Sequence, residues 1–375
     1  MQFALGFLLL LGYLTILVSL HELGHLLVAK KFGFKIEEYF IGFGPKLWST
    51  KRGEIEYGVK AIPGGGYVKI AGMNPYEEVA EADLPRAYGS KPIWQRALVI
   101  FCGPAVHFLI AALIFSSWLF FFGDPSLPPQ PVVGSVAQTL NGVPSPAREA
   151  GLQPGDRIVA VGNLVNPTAE ELSTYVSAHV GEPVDYRIER QGVATTVTMT
   201  PVAVKDQNGR VVQGRIGIFL GPTYPGVLRS LTQGGWWLWY SADASVHSVG
   251  HVFGPSGVSR LYDSLVHGTP RDPGGGTSVV GVGQQTGALV SQGAWGTLLE
   301  LLGFITVFIG LVNLVPLPPF DGGHLALLAI EKVRGRPVDY RRVIPLAAVV
   351  IGFLVIFVLA TAVLDVVQPL QVLTP

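Results

Sequence analysis

Residues 1–31 read MQFALGFLLLLGYLTILVSLHELGHLLVAKK, and this stretch decides the fold. As far as Leu20 it carries no Lys, Arg, Asp or Glu, and about 20 apolar residues are what a helix needs to cross hydrocarbon. The polar group that follows, His21-Glu22-Leu23-Gly24-His25, has H-E-x-x-H spacing. On a helix, positions i and i+4 share a face, so both imidazoles can reach one metal ion. Glu22 lies beside them, where it can take a proton from water on that metal. Ionisable groups are costly to bury at membrane depth, so their presence there marks a functional site. No basic segment precedes the apolar run, no small-residue cleavage site closes it, and apolar character resumes past residue 21. It therefore reads as a retained transmembrane helix over residues 1–30, not as a signal peptide.

Three further stretches free of Lys, Arg, Asp and Glu are long enough to span: Ala97–Gly123, Leu301–Phe320 and Val343–Leu364. With the first they predict a polytopic α-helical membrane protein with four transmembrane helices, at 1–30, 94–123, 295–320 and 343–366. Composition agrees. Only 14% of the 375 residues are charged, against about a quarter in soluble domains. A net charge of zero gives no sign of a nucleic-acid partner. Cys102 is the sole cysteine, so no intramolecular disulfide forms.

Basic residues set the orientation. Lys30–Arg96 holds 11 of them and Pro316–Arg342 holds 5, while the much longer region between the second and third spans holds the remaining 10. The positive-inside rule then puts the 31–93 and 321–342 loops in the cytoplasm. Both termini and residues 124–294 fall outside.

In the first loop, alternating residues Glu54–Ile62, the breaker Pro63-Gly64-Gly65-Gly66 and then Tyr67–Ile70 read as a membrane-associated β-hairpin turning at the glycines. Residues 127–203 read as one extracytoplasmic α+β domain. Short strands are expected at Val132–Val136, Arg157–Val161, Val184–Glu189 and Ala194–Met199, with a helix at Ala169–His179. Its segment Glu149–Ile158 (EAGLQPGDRI) resembles the signature of a PDZ domain, a module that takes an extended peptide onto a sheet edge. Residues 204–294 form an extracytoplasmic segment in which Trp236, Trp237, Trp239 and Tyr240 suggest an interfacial helix. Thr269–Gly276 reads as a flexible loop.

A catalytic zinc usually takes three protein ligands and keeps one position for water. The third candidate is Asp321, at the end of Asn313-Leu314-Val315-Pro316-Leu317-Pro318-Pro319-Phe320-Asp321-Gly322-Gly323. The prolines break the third span, and irregular backbone at membrane depth survives where protein or water satisfies it. Locally, Asp321 reads equally as the cap of the helix that follows. His25 lies five residues before Lys30, roughly 7–8 Å along a helix, so both half-sites sit toward the cytoplasmic face. His324 is near enough to contribute behind the ligands.

At these residues the chain resembles the site-2 protease family of intramembrane zinc metalloproteases, RseP-like, with a single PDZ domain and closest to the actinobacterial branch. HELGH, Gly42-Phe43-Gly44-Pro45, Gly64–Tyr67, Gly103-Pro104 and the N-x-x-P-x-P-x-x-D-G run at 313–322 carry the resemblance. It implies that His21, His25 and Asp321 bind Zn2+ and that Glu22 is the general base. It implies further that Asn313 and the strand around Gly64, Gly65, Gly66 and Tyr67 hold the substrate. The implied substrates are single-span membrane proteins such as anti-sigma factors, cut after a first cleavage outside; the PDZ domain would bind a peptide or substrate terminus. One position departs from the family's G-P-x-x-N: His107 stands where Asn is expected, either behind the site or bonded to a neighbouring span. A non-proteolytic scaffold with a structural zinc is the competing class, and the intact Glu22 argues against it.

Overall fold

The long apolar runs fold as helices because a span in lipid must satisfy its backbone internally. In the computed structural model, which describes residues 2–74, 76–205, 211–272 and 274–370, α1 runs Gln2–Lys31 without interruption. Its hydroxyls are satisfied locally: Thr15 Oγ1 donates to the Leu11 carbonyl at 2.7 Å and Ser19 Oγ to the Thr15 carbonyl at 2.6 Å. Leu8 and Ile16 stay 64% and 62% exposed, as a lipid-facing surface requires. Strands β1 (Ile36–Arg52) and β2 (Ile55–Ile70) and helix α2 (Ile93–Phe122) follow. Leu26 and Ala29 of α1, Ile36, Ile55 and Ile70 of the strands, and Val99 and Ile100 of α2 bury against one another. Phe34 and Ile36, each 1% exposed, contribute about 1.5–3 kcal/mol apiece to that junction.

The chain reverses at the expected glycines, although the two arms do not pair directly with each other. Residues 38–41 run parallel to 56–59 and antiparallel to 66–69, so β2 turns back across residues 60–65, where Gly64 has φ +93°. A further reversal falls between Arg52 and Ile55, where Gly53 has φ +64°. Thr50↔Tyr57 and Phe40↔Tyr67 are antiparallel pairs, whereas Tyr39↔Tyr57 and Phe40↔Gly58 run parallel, so the segments lie in the order 48–51, 56–59, 38–41, 66–69. Each long strand is thus used twice.

The β-domain lies within a second compact unit, residues 119–230. Its strands are β3 (Gln130–Val136), β4 (Thr139–Leu140), β5 (Val143–Pro144), β6 (Arg157–Val161) and β7 (Leu164–Val165), with a short α3 at Pro146–Glu149. Helix α4 (Ala169–Ala178) is started by a capping box between Thr168 and Glu171, each side chain satisfying the other's amide. Strands β8 (Val184–Arg190), β9 (Val193–Met199), β10 (Val202–Lys205), β11 (Val211–Arg215) and β12 (Ile218–Gly221) complete it. The main sheet runs β12-β3-β6-β8-β9 with β7 on β6, over a core that includes Val133, Ile158, Tyr186 and Ile188. It extends past the expected boundary at 203: β12 pairs antiparallel with the first strand, Ile218↔Val136. That pairing joins residues too far apart for any local pattern to reveal.

The chain returns as α5 (Val227–Phe253), α6 (Pro255–Val266) and α7 (Val279–Ser291), then α8 (Trp295–Asn313), α9 (Asp321–Arg334) and α10 (Ile344–Val367). Among the described residues, α1, α2, α8 and α10 are long and apolar enough to cross a membrane. The clustered aromatics of residues 236–240 all lie on α5, where Trp236 stacks on Tyr240 at 5.5 Å. Apart from residue 273, which lies outside the described residues, the segment expected to be a flexible loop is irregular but pinned. Arg271 pairs with buried Asp365 at 2.7 Å, and its amide donates to Gln368 Oε1 at 3.0 Å. Helix α7 crosses α1 closely enough that a Cβ at Gly6 would meet the Gly287 nitrogen at 2.2 Å.

Candidate metal centre

His21 and His25 are each 6% exposed and meet as the helical repeat dictates, Nε2 to Nε2 at 3.1 Å. His25 Nδ1 lies 2.7 Å from the Val99 carbonyl of α2. That bond puts the proton on Nδ1 and leaves Nε2 with its lone pair.

Asp321 arrives from the other end of the chain. Helix α8 stops at Asn313, and the irregular 314–320 segment with its three prolines leads into α9, whose first residue is Asp321. The two glycines that follow are a packing requirement. A Cβ at Gly322 would sit 2.2 Å from the Leu314 carbonyl oxygen, and one at Gly323 would sit 2.5 Å from the Pro318 nitrogen, so the loop folds directly onto the first turn. The far end of α9 is tied down by Arg96 of α2, which donates to both oxygens of Glu331 at 3.0 and 2.6 Å.

Asp321 Oδ2 then lies 3.1 Å from His21 Nε2 and 3.5 Å from His25 Nε2. Among the described residues these are the His, Cys, Asp and Glu groups whose donor atoms converge for a metal. Bonds of about 2.0–2.1 Å meeting at tetrahedral angles separate ligand atoms by about 3.3 Å. Two imidazole nitrogens and one carboxylate oxygen at 3.1–3.5 Å therefore fit zinc in both chemistry and spacing.

Glu22 sits beside the triad and accepts from the Val68 amide at 3.1 Å. The Gly64 amide donates to Thr15 Oγ1 at 3.0 Å, and a Cβ at Gly66 would lie 3.6 Å from Glu22 Cγ. The glycine stretch of β2 thus runs along α1 next to Glu22. Gly65 is pressed against Phe43. Tyr67 looks elsewhere: its ring stacks on Phe40 at 5.8 Å, its hydroxyl donates to Glu38 at 2.5 Å, and Lys60 donates to that hydroxyl at 2.8 Å. Asn313 is the half-buried last residue of α8. His324 lies in the first turn of α9 outside the converging set. His107 is fully buried with its ring 4.9 Å from that of His21.

The Val99 carbonyl, the Val68 amide and Thr15 had no signal in the sequence. Two of them act through backbone atoms, and all act across turns of chain that only packing brings together. Gly103 had one, in its Gly-Pro motif, and its role is steric. A Cβ there would stand 2.3 Å from His25 Nε2 and 2.8 Å from His21 Cε1. Gly103→Ala is therefore expected to displace the His21 and His25 rings and, if these hold the metal, to lower metal affinity at least about tenfold. Gly12→Ala, at a position with open space, serves as the control. Wild-type metal content of the Gly103 variant under chelator competition would refute this.

Comparisons with known proteins agree along the whole chain. It is 33% identical to the zinc metalloprotease Rip1 of Mycobacterium tuberculosis, with 99% of each protein covered. It is 30% identical to the zinc metalloprotease RasP of Geobacillus kaustophilus, over 87% of this chain and 89% of the relative. Among solved structures, the PDZ domain of an SdrC-like protein from Listeria monocytogenes matches 26% of this chain and 93% of its own length, at 21% identity and a TM-score of 0.20. The model of peptidase family M50 matches residues 9–359. On this match and these identities, the chain belongs to peptidase family M50, the site-2 protease family of zinc metalloproteases.

Proposed function

We propose that His21, His25 and Asp321 hold the zinc, that Glu22 is the general base, and that the enzyme cuts single-span membrane proteins within or beside the bilayer. The observation that carries this reading is the convergence of three donor atoms at 3.1–3.5 Å within and beside the first apolar span. When bound, zinc supplies a Lewis acid that polarises the scissile carbonyl and acidifies water. Glu22 takes the proton of the attacking water and delivers it to the amine that leaves as the C–N bond breaks. Burial of His21 and His25 excludes bulk water from the donors and strengthens their electrostatics. A transmembrane substrate hides its peptide bonds until it unwinds. The β2 stretch Gly64–Tyr67 beside Glu22 offers the edge on which an unwound segment lies extended, and Asn313 bonds its backbone near the cut. Tyr67 serves by bracing that strand through Phe40 and Glu38.

The distribution of Lys and Arg supports cytoplasmic placement of residues 31–93 and 321–342, with the zinc near that face and both termini outside. The β-domain, read as a PDZ module, lies outside as well and acts on access, not on bond cleavage. Its sheet ends at β12, where Phe219 is 60% exposed, a place for a peptide or substrate terminus to add a strand. Anti-sigma-like proteins already trimmed outside are the substrates this arrangement suits. The test is cleavage of trimmed and full-length single-span proteins by purified enzyme, with activity lost to a chelator and restored by zinc. A variant lacking residues 130–221 should keep its zinc and begin to cut untrimmed substrate; stopping the deletion at 203 would leave β12 without its sheet. Continued rejection of the full-length protein, with slower cutting of the trimmed one, would show a recruiting module instead of a filter.

A further inference from the structure

We propose that His107 is the positioning residue for His21, accepting the hydrogen bond from its Nδ1–H and thereby setting the tautomer and direction of that ligand. The inference rests on His21 being a zinc ligand. A ligating imidazole that offers Nε2 to the metal carries its proton on Nδ1, and that N–H normally has a partner that orients the ring. His25 has one in the Val99 carbonyl. His21 Nδ1 is buried without a hydrogen-bond partner among the described residues, and so are both ring nitrogens of His107.

These unmatched groups are neighbours. The two rings lie 4.9 Å apart, inclined at 42°. An N–H···N bond of about 3 Å between imidazoles puts their centres about 5 Å apart, so the spacing is already that of a bonded pair. Rotation of the His107 ring about χ2, a soft torsion, is the adjustment that would turn an acceptor toward His21 Nδ1. Neutral His107 has one acceptor nitrogen for the purpose.

The packing aims His107 at the site. Gly103 and His107 are one turn apart on α2 and share a face, and Gly103 is the residue that abuts the ligand rings. From the other side α8 presses in with Gly310, where a Cβ would lie 2.9 Å from His107 Cβ. A wholly buried histidine in an apolar span is too costly to be filler. It does not serve as a fourth ligand, because it lies outside the converging set and a catalytic zinc keeps one position open.

The test uses the full-length chain in detergent and zinc alone as the probe. His107→Phe keeps a ring of similar bulk and removes the acceptor, whereas His107→Gln retains an acceptor. Chelator competition should show zinc bound roughly 10- to 100-fold more weakly by the Phe variant and nearly normally by the Gln variant. Cobalt substituted for zinc should give altered visible bands in the Phe variant only. The zinc-free proteins should share one unfolding midpoint. Zinc affinity of the Phe variant within about twofold of wild type would overturn the proposal. So would equal weakening by both substitutions, or a zinc-free midpoint that falls with the Phe change, since either marks a packing role. The supporting assignment is read separately: a His21→Ala variant that binds zinc like wild type removes the ligand, and the proposal with it.

Discussion

Glu22→Gln is expected to lower cleavage by about 100- to 10,000-fold while zinc stays at one per chain. The substitution is nearly isosteric, and its amide oxygen can still accept from the Val68 amide, the bond that Glu22 makes at 3.1 Å. What it removes is a group able to take a proton from water, and general acid–base catalysis contributes a factor of that size. The measurements are the turnover of a trimmed single-span substrate and the elemental metal content of the same preparation. Turnover within about tenfold of wild type, with zinc confirmed, would mean that another group is the base.

The second large effect concerns Asp321. Its Oδ2 is the anionic member of the triad and bridges toward both imidazoles. Loss of groups that merely support ligands costs roughly 10- to 100-fold in affinity, so Asp321→Ala should weaken zinc by more than about 100-fold and abolish cleavage. The alternative, in which Asp321 only starts α9, predicts something much smaller. The N-cap position is Phe320, with no side-chain cap bond, and Asp321 is the first helical residue. A carboxylate there is worth about 0.3–1 kcal/mol to the helix dipole. A variant with full zinc and full activity would place the third ligand elsewhere, with His324 first to be tried by His324→Ala.

Much of this was legible in the chain before folding was considered. The four spans could be read because lipid demands long uncharged runs with satisfied backbones, a constraint written residue by residue. The pairing of His21 with His25 could be read because the helical repeat alone brings i and i+4 together. Four strands and the helix of the β-domain were legible as well, since short β-forming runs set off by turn residues are local signals. The hairpin was largely legible. Glycines 64–66 announced the reversal that β2 makes, whereas the further turn at Gly53 and the insertion of residues 38–41 between the two arms of β2 come only from the folded sheet.

The amino-acid sequence by itself determined a polytopic membrane chain with an H-E-x-x-H helix, a proline-broken third span ending in an aspartate, and one β-rich domain between spans. Each follows from periodicity, hydrophobic length or covalent restriction of the backbone, which act over a few residues. Tertiary structure alone decided that Asp321 closes on histidines some 300 positions earlier, at 3.1 and 3.5 Å. It also decided that the Val99 carbonyl orients His25, that β12 completes the sheet, and that His107 faces His21. These relations depend on close-packed helices whose glycines let backbone meet side chain. No local pattern encodes them, because the free energy that selects them comes from contacts formed only when all the helices are in place.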